Sequence, residues 1–285
     1  MVEHKINNID QKTVDSFGDE WERFDQDRMD DEEGERIFKS YFSIFPWEKI
    51  ESGSRGFDMG CGTGRWAKFV LPRVDHLTCI DPSSAIDIAK SKLSNFDNVS
   101  FLQESVDKTS LQLSSQDFGY SLGVLHHVPN TRDAIKSCVE LLKPDAPLLL
   151  YLYYSFDNRP FWFRLIWKAS DLLRKIIYRL HPLLKNFLTN VIAATVYFPL
   201  ANISKLIEIL GVKVDKIPLS FYRDHSFYTM RTDARDRFGT PLEQRFSKNE
   251  IEKMMEDSGL TNIIFYDDAP FWCALGYKKS KISSE

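Results

Sequence analysis

Gly56-Phe57-Asp58-Met59-Gly60-Cys61-Gly62-Thr63-Gly64-Arg65-Trp66 decides the fold of this chain. The apolar run Arg55–Met59 predicts a buried strand, and Thr63–Leu71 a helix stopped at Pro72. Glycines in the turn between them tolerate positive φ and let a ligand approach the backbone, and they serve equally as a packing device. The spacing is Gly-x-Gly-x-Gly, not the Gly-x-Gly-x-x-Gly of dinucleotide binders. Arg65 and Trp66 follow the last glycine, and Asp58 stands just before the turn, so a pyrophosphate fits poorly and is repelled. A carboxylate at that place suits a ligand with a positive amine.

Working outward, short apolar runs alternate with amphipathic stretches from Ser54 to Ser155. Strands are predicted at His76–Ile80, Val99–Leu102, Phe118–Val124 and Pro147–Tyr154, with helices at Ser83–Leu93 and Arg132–Leu142. Strand-helix alternation with short connections implies a parallel sheet covered on both faces. Asp81 ends the second strand, where a carboxylate can accept from ribose hydroxyls or cap the helix beginning near Ser83. Glu104 ends the third, placed either to accept from an adenine amino group amid Phe101, Leu102 and Val106 or to sit solvated in a loop. S-adenosylmethionine combines a nucleoside with a positive amine, a cationic sulfonium and no phosphate. It is the cofactor these residues suit.

Three further stretches carry a likeness. Asp117-Phe118-Gly119-Tyr120-Ser121-Leu122-Gly123-Val124-Leu125-His126-His127-Val128-Pro129 resembles the fourth-strand motif of the class I methyltransferases, in the subgroup acting on quinones and small molecules. Ala134-Ile135 through Leu141-Leu142-Lys143-Pro144-Asp145 is similar to a segment where that family usually has Lys-Pro-Gly-Gly, and Arg245–Ile251 with Ser258-Gly259-Leu260 resembles its last helix and hairpin. The resemblance covers about residues 50–155 and 245–278. It implies an α/β, Rossmann-like sheet of seven strands, mostly parallel, with an antiparallel last strand. It also implies cofactor contacts at Asp58, Gly60, Gly62, Asp81, Glu104, Ser105 and Leu122, with Cys61, Gly64, Pro82 and Ser83 completing the candidate set. Glu104-Ser105 departs from the Asp-Ala common in the family, which shifts the adenine contact. His126 and His127 fall where the family faces its acceptor cleft. Histidine titrates near neutrality and can take a hydroxyl proton. If the segment is extended, the two side chains point oppositely, which favours His126 as base and leaves His127 structural.

The strand-helix rhythm breaks at residues 158–246 and resumes with a helix at Lys248–Asp257 and two runs, Asn262–Tyr266 and Phe271–Tyr277. The expected organisation is an N-terminal helical lid (1–45), a methyltransferase core (46–157 and 247–285) and a helical cap (158–246) inserted after the fifth strand. Phe17, Trp21 and Phe24 recur at helical spacing, as a docked helix or a lid requires. The stretch Phe221–Asp233 is dense in aromatics and charges. Tyr222, His225, Tyr228, Asp233, Arg237 and Arg245, with Phe17, Trp21 and Tyr154, are the candidate acceptor contacts, and salt-bridged loop residues are the alternative. Tyr151, Tyr153, Phe161, Trp162 and Trp167 fit an aromatic or sugar-bearing acceptor or a packed core alike.

The 285 residues have the composition of an ordinary globular protein, and a net charge of -4 gives no general basic field, so no nucleic-acid partner is expected. Four scattered cysteines form no C-x-x-C pair, which argues against a metal site or disulfide framework and for the cytoplasm. The start, MVEHKINNID, lacks a signal-peptide pattern. Asn186–Ser204 is uncharged and long enough for a bilayer, yet its Asn, Thr and Pro residues favour a buried or surface-lying helix pair. The leading expectation is a methyltransferase acting on a small-molecule acceptor, at oxygen, with a hydroxylated, sugar-like or aromatic substrate; a dimer fits as well as a monomer. Basic residues among apolar ones across 160–205 offer a second reading, peripheral membrane contact and a lipid-linked acceptor. A non-catalytic S-adenosylmethionine-binding protein and a nicotinamide oxidoreductase are the remaining alternatives, the latter disfavoured by Asp58 and the glycine spacing.

Overall fold

A computed structural model describes residues 7–24 and 30–280. The reading of the extreme N-terminus at 1–6, the lid residues 25–29 and the core's last residues 281–285 lie outside that range. Two compact units form, one from the segments ending at Val14, spanning Ile37–Tyr154 and beginning at Leu242, the other from Asp15–Arg36 and Ser155–Pro241. The segment expected as a lid is thus shared between the two.

The first unit is built on a seven-stranded sheet of order β3-β2-β1-β4-β5-β7-β6, where β1 is Arg55–Met59, β2 His76–Ile80, β3 Val99–Leu102, β4 Phe118–Leu122, β5 Pro147–Tyr151, β6 Leu260–Phe265 and β7 Cys273–Lys278. Strands β1 to β5 pair in parallel, and β7 runs antiparallel to both β5 and β6. The expected Rossmann-like sheet with one reversed strand is what forms. All five residues of β4 are buried, as a central parallel strand covered on both faces must be.

Strands β1 and β4 interlock through two glycines. Gly56 lies opposite Phe118, and Phe57 opposite Gly119. A Cβ on either glycine would meet the facing ring at 2.2 Å. Each ring therefore lies over bare backbone, the use of strand glycine that a close approach demands.

The helices differ from expectation at one decisive point. The predicted helix Thr63–Leu71 shrinks to α3, Ala67–Val70, followed by a 3-10 turn at Leu71–Arg73. Gly60, Gly62 and Gly64 all adopt positive φ, which keeps the chain in a turn until Trp66. The other flanking helices, α4 (Ala85–Lys92), α5 (Thr131–Leu141) and α10 (Lys248–Asp257), form close to where the pattern placed them. Asn130 caps α5 through Asp133, and Ser247 with Glu250 forms a capping box on α10.

The second unit is helical, as the expected insertion requires. It holds α6 (Phe161–Ile177), α7 (Pro182–Ile192), α8 (Phe198–Ile209) and α9 (Phe227–Gly239). A π-turn at Ala193–Tyr197 joins α7 to α8, so the stretch expected as a helix pair is one continuous helix. Pro199 follows directly on that π-turn, an irregularity in the hydrogen-bond ladder that accommodates its missing amide hydrogen within the continuous helix. A small core of Ile177, Ala193, Tyr197, Ala201, Met230, Ala234 and Phe238 holds these helices together.

Candidate active site

Strand order reverses between β1 and β4, and in open α/β sheets the crevice beyond the strand C-termini at that point is where ligands settle. Ser121 of β4 donates to the Met59 carbonyl of β1 at 2.7 Å, fixing the two strand ends to each other. The turn that follows β1 is pinned to β2, because Gly60 N and Cys61 N both donate to the Ile80 carbonyl, at 2.7 and 3.1 Å.

Asp81 does more here than the sequence indicated. Its carboxylate accepts from Gly62 N at 2.9 Å, Ser83 N at 2.9 Å and the Ser83 hydroxyl at 2.6 Å. It therefore shapes the glycine turn and fixes the Ser83 bend that leads into α4, whose own N-cap, Ser84, makes no side-chain capping bond. Burial pushes its carboxyl up and these hydrogen bonds draw it back. At Gly60 and Gly64 an added Cβ would strike the Val124 and Leu93 side chains, at 2.4 and 2.8 Å. The first and last glycines are thus required by packing and by backbone conformation.

Asp58 lies fully buried in β1. Burial pushes its carboxyl up to about 8, the neighbouring Tyr120 hydroxyl offsets part of the shift, and the charge of Asp81 adds to it. Neither Asp58 Oδ2 nor the Tyr120 hydroxyl meets a partner in hydrogen-bond geometry among the described residues. A buried, unmatched carboxylate oxygen costs free energy unless a ligand donor answers it. That orphan, beside a turn held open by positive φ, fits an ammonium-bearing nucleoside.

The remaining cofactor candidates line the neighbouring strand ends. Leu122 is buried at the end of β4, Cys61 is buried with its thiol pushed well up by burial, and Pro82 and Ser83 follow Asp81. Glu104 is half-buried, and its Oε2 accepts from Ser110 N at 2.6 Å and the Ser110 hydroxyl at 3.1 Å. Ser105 donates to Asp107 at 2.7 Å. Asp107 also accepts from Asn8 N, while the Asn8 side chain bridges the backbone of Asn130, donating to its carbonyl at 2.8 Å and accepting from its amide at 2.7 Å. An N-terminal strap across the loops after β3 and β4 is absent from any reading of the sequence, since a lone Asn in a polar segment gives no pattern to find.

The two histidines lie on a 3-10 turn, Leu125–His127, not on an extended segment. Gly123, at φ 77°, swings the chain out of β4 and makes that turn. The premise of opposite side-chain directions therefore fails. The imidazoles sit 4.0 Å apart, centroid to centroid, and His126 stacks on Tyr153 at 3.8 Å. His127 Nδ1 bonds the Leu242 carbonyl at 2.7 Å. Gln244 clamps the same turn, its amide donating to the His126 carbonyl and its side chain to the Val128 carbonyl. His126 is 0% exposed, and neither ring nitrogen has a protein partner among the described residues. Burial, then the neighbouring His127 and Arg245, hold it well below the usual histidine value of 6.5, so it is neutral at physiological pH.

The candidate acceptor contacts do not form one set. Tyr154 and Arg245 belong to the first unit, where Arg245 pairs with Glu243 at 2.7 Å, donates to the Tyr154 carbonyl at 3.3 Å and lies over the Tyr153 ring. Phe17, Trp21, Tyr222, His225, Tyr228, Asp233 and Arg237 belong to the second. There the Tyr222 hydroxyl donates to Asp233 at 2.8 Å, His225 packs on Phe221 at 4.5 Å, Tyr228 meets Phe24 edge-on at 6.0 Å, and Arg237 reaches Ser170 and Asp171.

Comparison with known proteins agrees with this geometry. Residues 57–150 match the family model described as "Methyltransferase domain". Residues 57–150 thus resemble a methyltransferase domain, and the sheet they belong to has the Rossmann-like methyltransferase order, which supports S-adenosylmethionine as the cofactor. The chain is 26% identical over 129 residues to a ubiquinone biosynthesis O-methyltransferase of Salmonella paratyphi A, an alignment covering 44% of this chain and 52% of that protein. It is 31% identical over 102 residues to a protein of the same name from Dechloromonas aromatica, covering 35% and 44%. The chain thus spans about half the length of the curated relatives it matches. Among solved structures, a Haloferax volcanii methyltransferase in complex with the Trm112 activator superposes with TM-score 0.52 at 12% identity, covering 92% of this chain and 97% of that one. That likeness is one of fold.

Proposed function

We propose that this methyltransferase moves a methyl group from S-adenosylmethionine to a hydroxyl oxygen of a small acceptor, with His126 as the base. The observation that carries the reading is a neutral, fully buried imidazole on the turn after β4 whose nitrogens have no hydrogen-bond partner among the described residues. The names of the relatives, O-methyltransferases, support oxygen as the methylated atom.

When bound, the cofactor supplies the methyl group on a positively charged sulfur. Asp58 would hold its ammonium, ionising as the two pair. Asp81, having ordered the turn through Gly62, retains lone-pair capacity that would serve the ribose, while Glu104, Ser105 and Leu122 would hold the adenine. The transfer is a direct displacement, in which an O–C bond forms as the C–S bond breaks, so alignment supplies much of the rate. His126 accepts the hydroxyl proton. His127, tethered at Nδ1 to Leu242, and Gln244 position that imidazole, and Tyr154 and Arg245 contact the acceptor.

Release of S-adenosylhomocysteine, measured against a panel of phenols and catechols, tests this. We expect turnover with a member of the panel, and a fall of about 10²- to 10⁴-fold in kcat for His126→Gln, with S-adenosylhomocysteine affinity retained. Because the base is held below 6.5, the rate should stay level as pH falls to that value and drop only beneath it. Full turnover by His126→Gln would remove His126 from the mechanism, and cofactor binding with no turnover on any hydroxylated acceptor would favour a binding protein.

A further inference from the structure

Among the described residues, eighteen of the twenty-two exposed large apolar side chains lie between Phe161 and Val212. Soluble monomers rarely gather that much exposed apolar surface in one region without a use for it. On α6 the inward face carries Phe163, Trp167, Arg174 and Ile177, while Phe161, Leu165, Leu172 and Ile176 are each more than half exposed. At 100° per residue those four fall on one stripe. Arg164, Lys168 and Lys175, with Arg179 just beyond the last turn, lie along one border of it within about 60° of each other. Lys175 pairs with Asp171 at 3.1 Å, and Arg179 packs on Tyr178.

The continuous helix that follows repeats the arrangement. It is long and apolar enough to cross a bilayer by length and composition. One side, however, is committed to protein, with Ala193, Tyr197 and Ala201 in the core shared with α9 and Thr189 and Ser204 buried. The other side exposes Leu183, Phe187, Leu206 and Ile209. A helix committed to protein along one side and bare along the other suits a place at an interface and not a bilayer crossing.

Charge selects the occupant. The chain as a whole is acidic at -4, yet residues 159–216 hold ten Lys and Arg against three Asp and Glu. In a two-fold pair of copies this face would meet itself, setting like charges together. Anionic phospholipid headgroups complement it, with the acyl boundary taking the Leu, Ile, Phe and Trp side chains. We propose that the exposed face of α6 and of the α7–α8 helix docks on an anionic lipid bilayer. The proposal does not depend on the methyl-transfer reading.

Co-sedimentation of the full chain with vesicles of phosphatidylcholine alone, or of phosphatidylcholine with phosphatidylglycerol, decides it. The protein should pellet with the anionic vesicles at low salt, stay in the supernatant with the neutral ones, and be released as salt rises. Neutralising Arg164→Gln and Lys168→Gln together should weaken vesicle binding roughly thirtyfold. Leu165→Asp with Leu172→Asp should abolish it. Unchanged S-adenosylhomocysteine affinity and an unchanged melting temperature would show that both variants remain folded. Failure of the wild type to pellet with anionic vesicles at low salt overturns the proposal. So does a stable dimer, seen in sedimentation velocity, that the Leu165→Asp, Leu172→Asp variant splits, because the face then belongs to a second copy.

Discussion

Strand β4 and helix α6 are both rich in apolar residues, and they use them in opposite ways. In β4 and its neighbours, Phe57, Phe118, Leu148, Leu149 and Leu150 are fully buried. On α6, Phe161, Leu165, Leu172 and Ile176 face outward. The same side-chain chemistry stabilises the fold in the sheet and contributes little to it on the outward stripe of α6. Apolar residues that the fold does not bury are candidates for recognition, and substitutions separate the two cases.

The largest effect should come from the sheet. Leu150→Ala removes a fully buried side chain and should cost about 2–5 kcal/mol in denaturant unfolding. Gly119→Ala pushes a methyl group into the Phe57 ring and should cost about 1–3 kcal/mol, with strain at the β1–β4 junction, under the site itself. Ser247→Ala breaks the capping box of α10 and should cost about 1 kcal/mol. Leu172→Gln, on the outward face, should change stability by no more than about 0.5 kcal/mol. If Leu172→Gln destabilised the chain as much as Leu150→Ala, the contrast between the units would collapse.

The sheet was legible in the sequence because each strand is a short apolar run punctuated by turn residues, and β1, β2 and β3 form at the positions the pattern gave. The site was legible in its residue types and less so in its geometry. The periodicity of Thr63–Leu71 reads as a helix, but positive φ at the alternating glycines Gly60, Gly62 and Gly64 delays its start to Ala67. Gly123 does the same after β4, placing His126 and His127 side by side. Local pattern cannot register such backbone reversals, nor a strap such as Asn8, whose partners Asp107 and Asn130 are 99 and 122 residues away. In the helical unit, amphipathic spacing marked the start of α6 and the helical stretch at 186–204, but it did not find α9, whose charges and aromatics are spread all round, nor which stripe of α6 faces inward, because the exposed stripe is as apolar as the buried one.

Asp58, a buried carboxyl whose Oδ2 meets no partner in hydrogen-bond geometry among the described residues, is the proposed seat of the cofactor's ammonium. With its value raised to about 8 from an ordinary 3.8, the unliganded carboxyl is mostly protonated at neutral pH. Its contribution to the stability of the unliganded fold is then full below 3.8 and lost as pH rises through about 8. Pairing with a cation must expel that proton. Calorimetric titration with S-adenosylhomocysteine at pH 7, in two buffers of different ionisation enthalpy, reads the event directly. Binding should release close to one proton per molecule, the release should fade above pH 8, Asp58→Asn should abolish it, and NAD should give no heat. Binding of NAD in place of S-adenosylhomocysteine, or S-adenosylhomocysteine binding with the same heat in both buffers, would contradict the account.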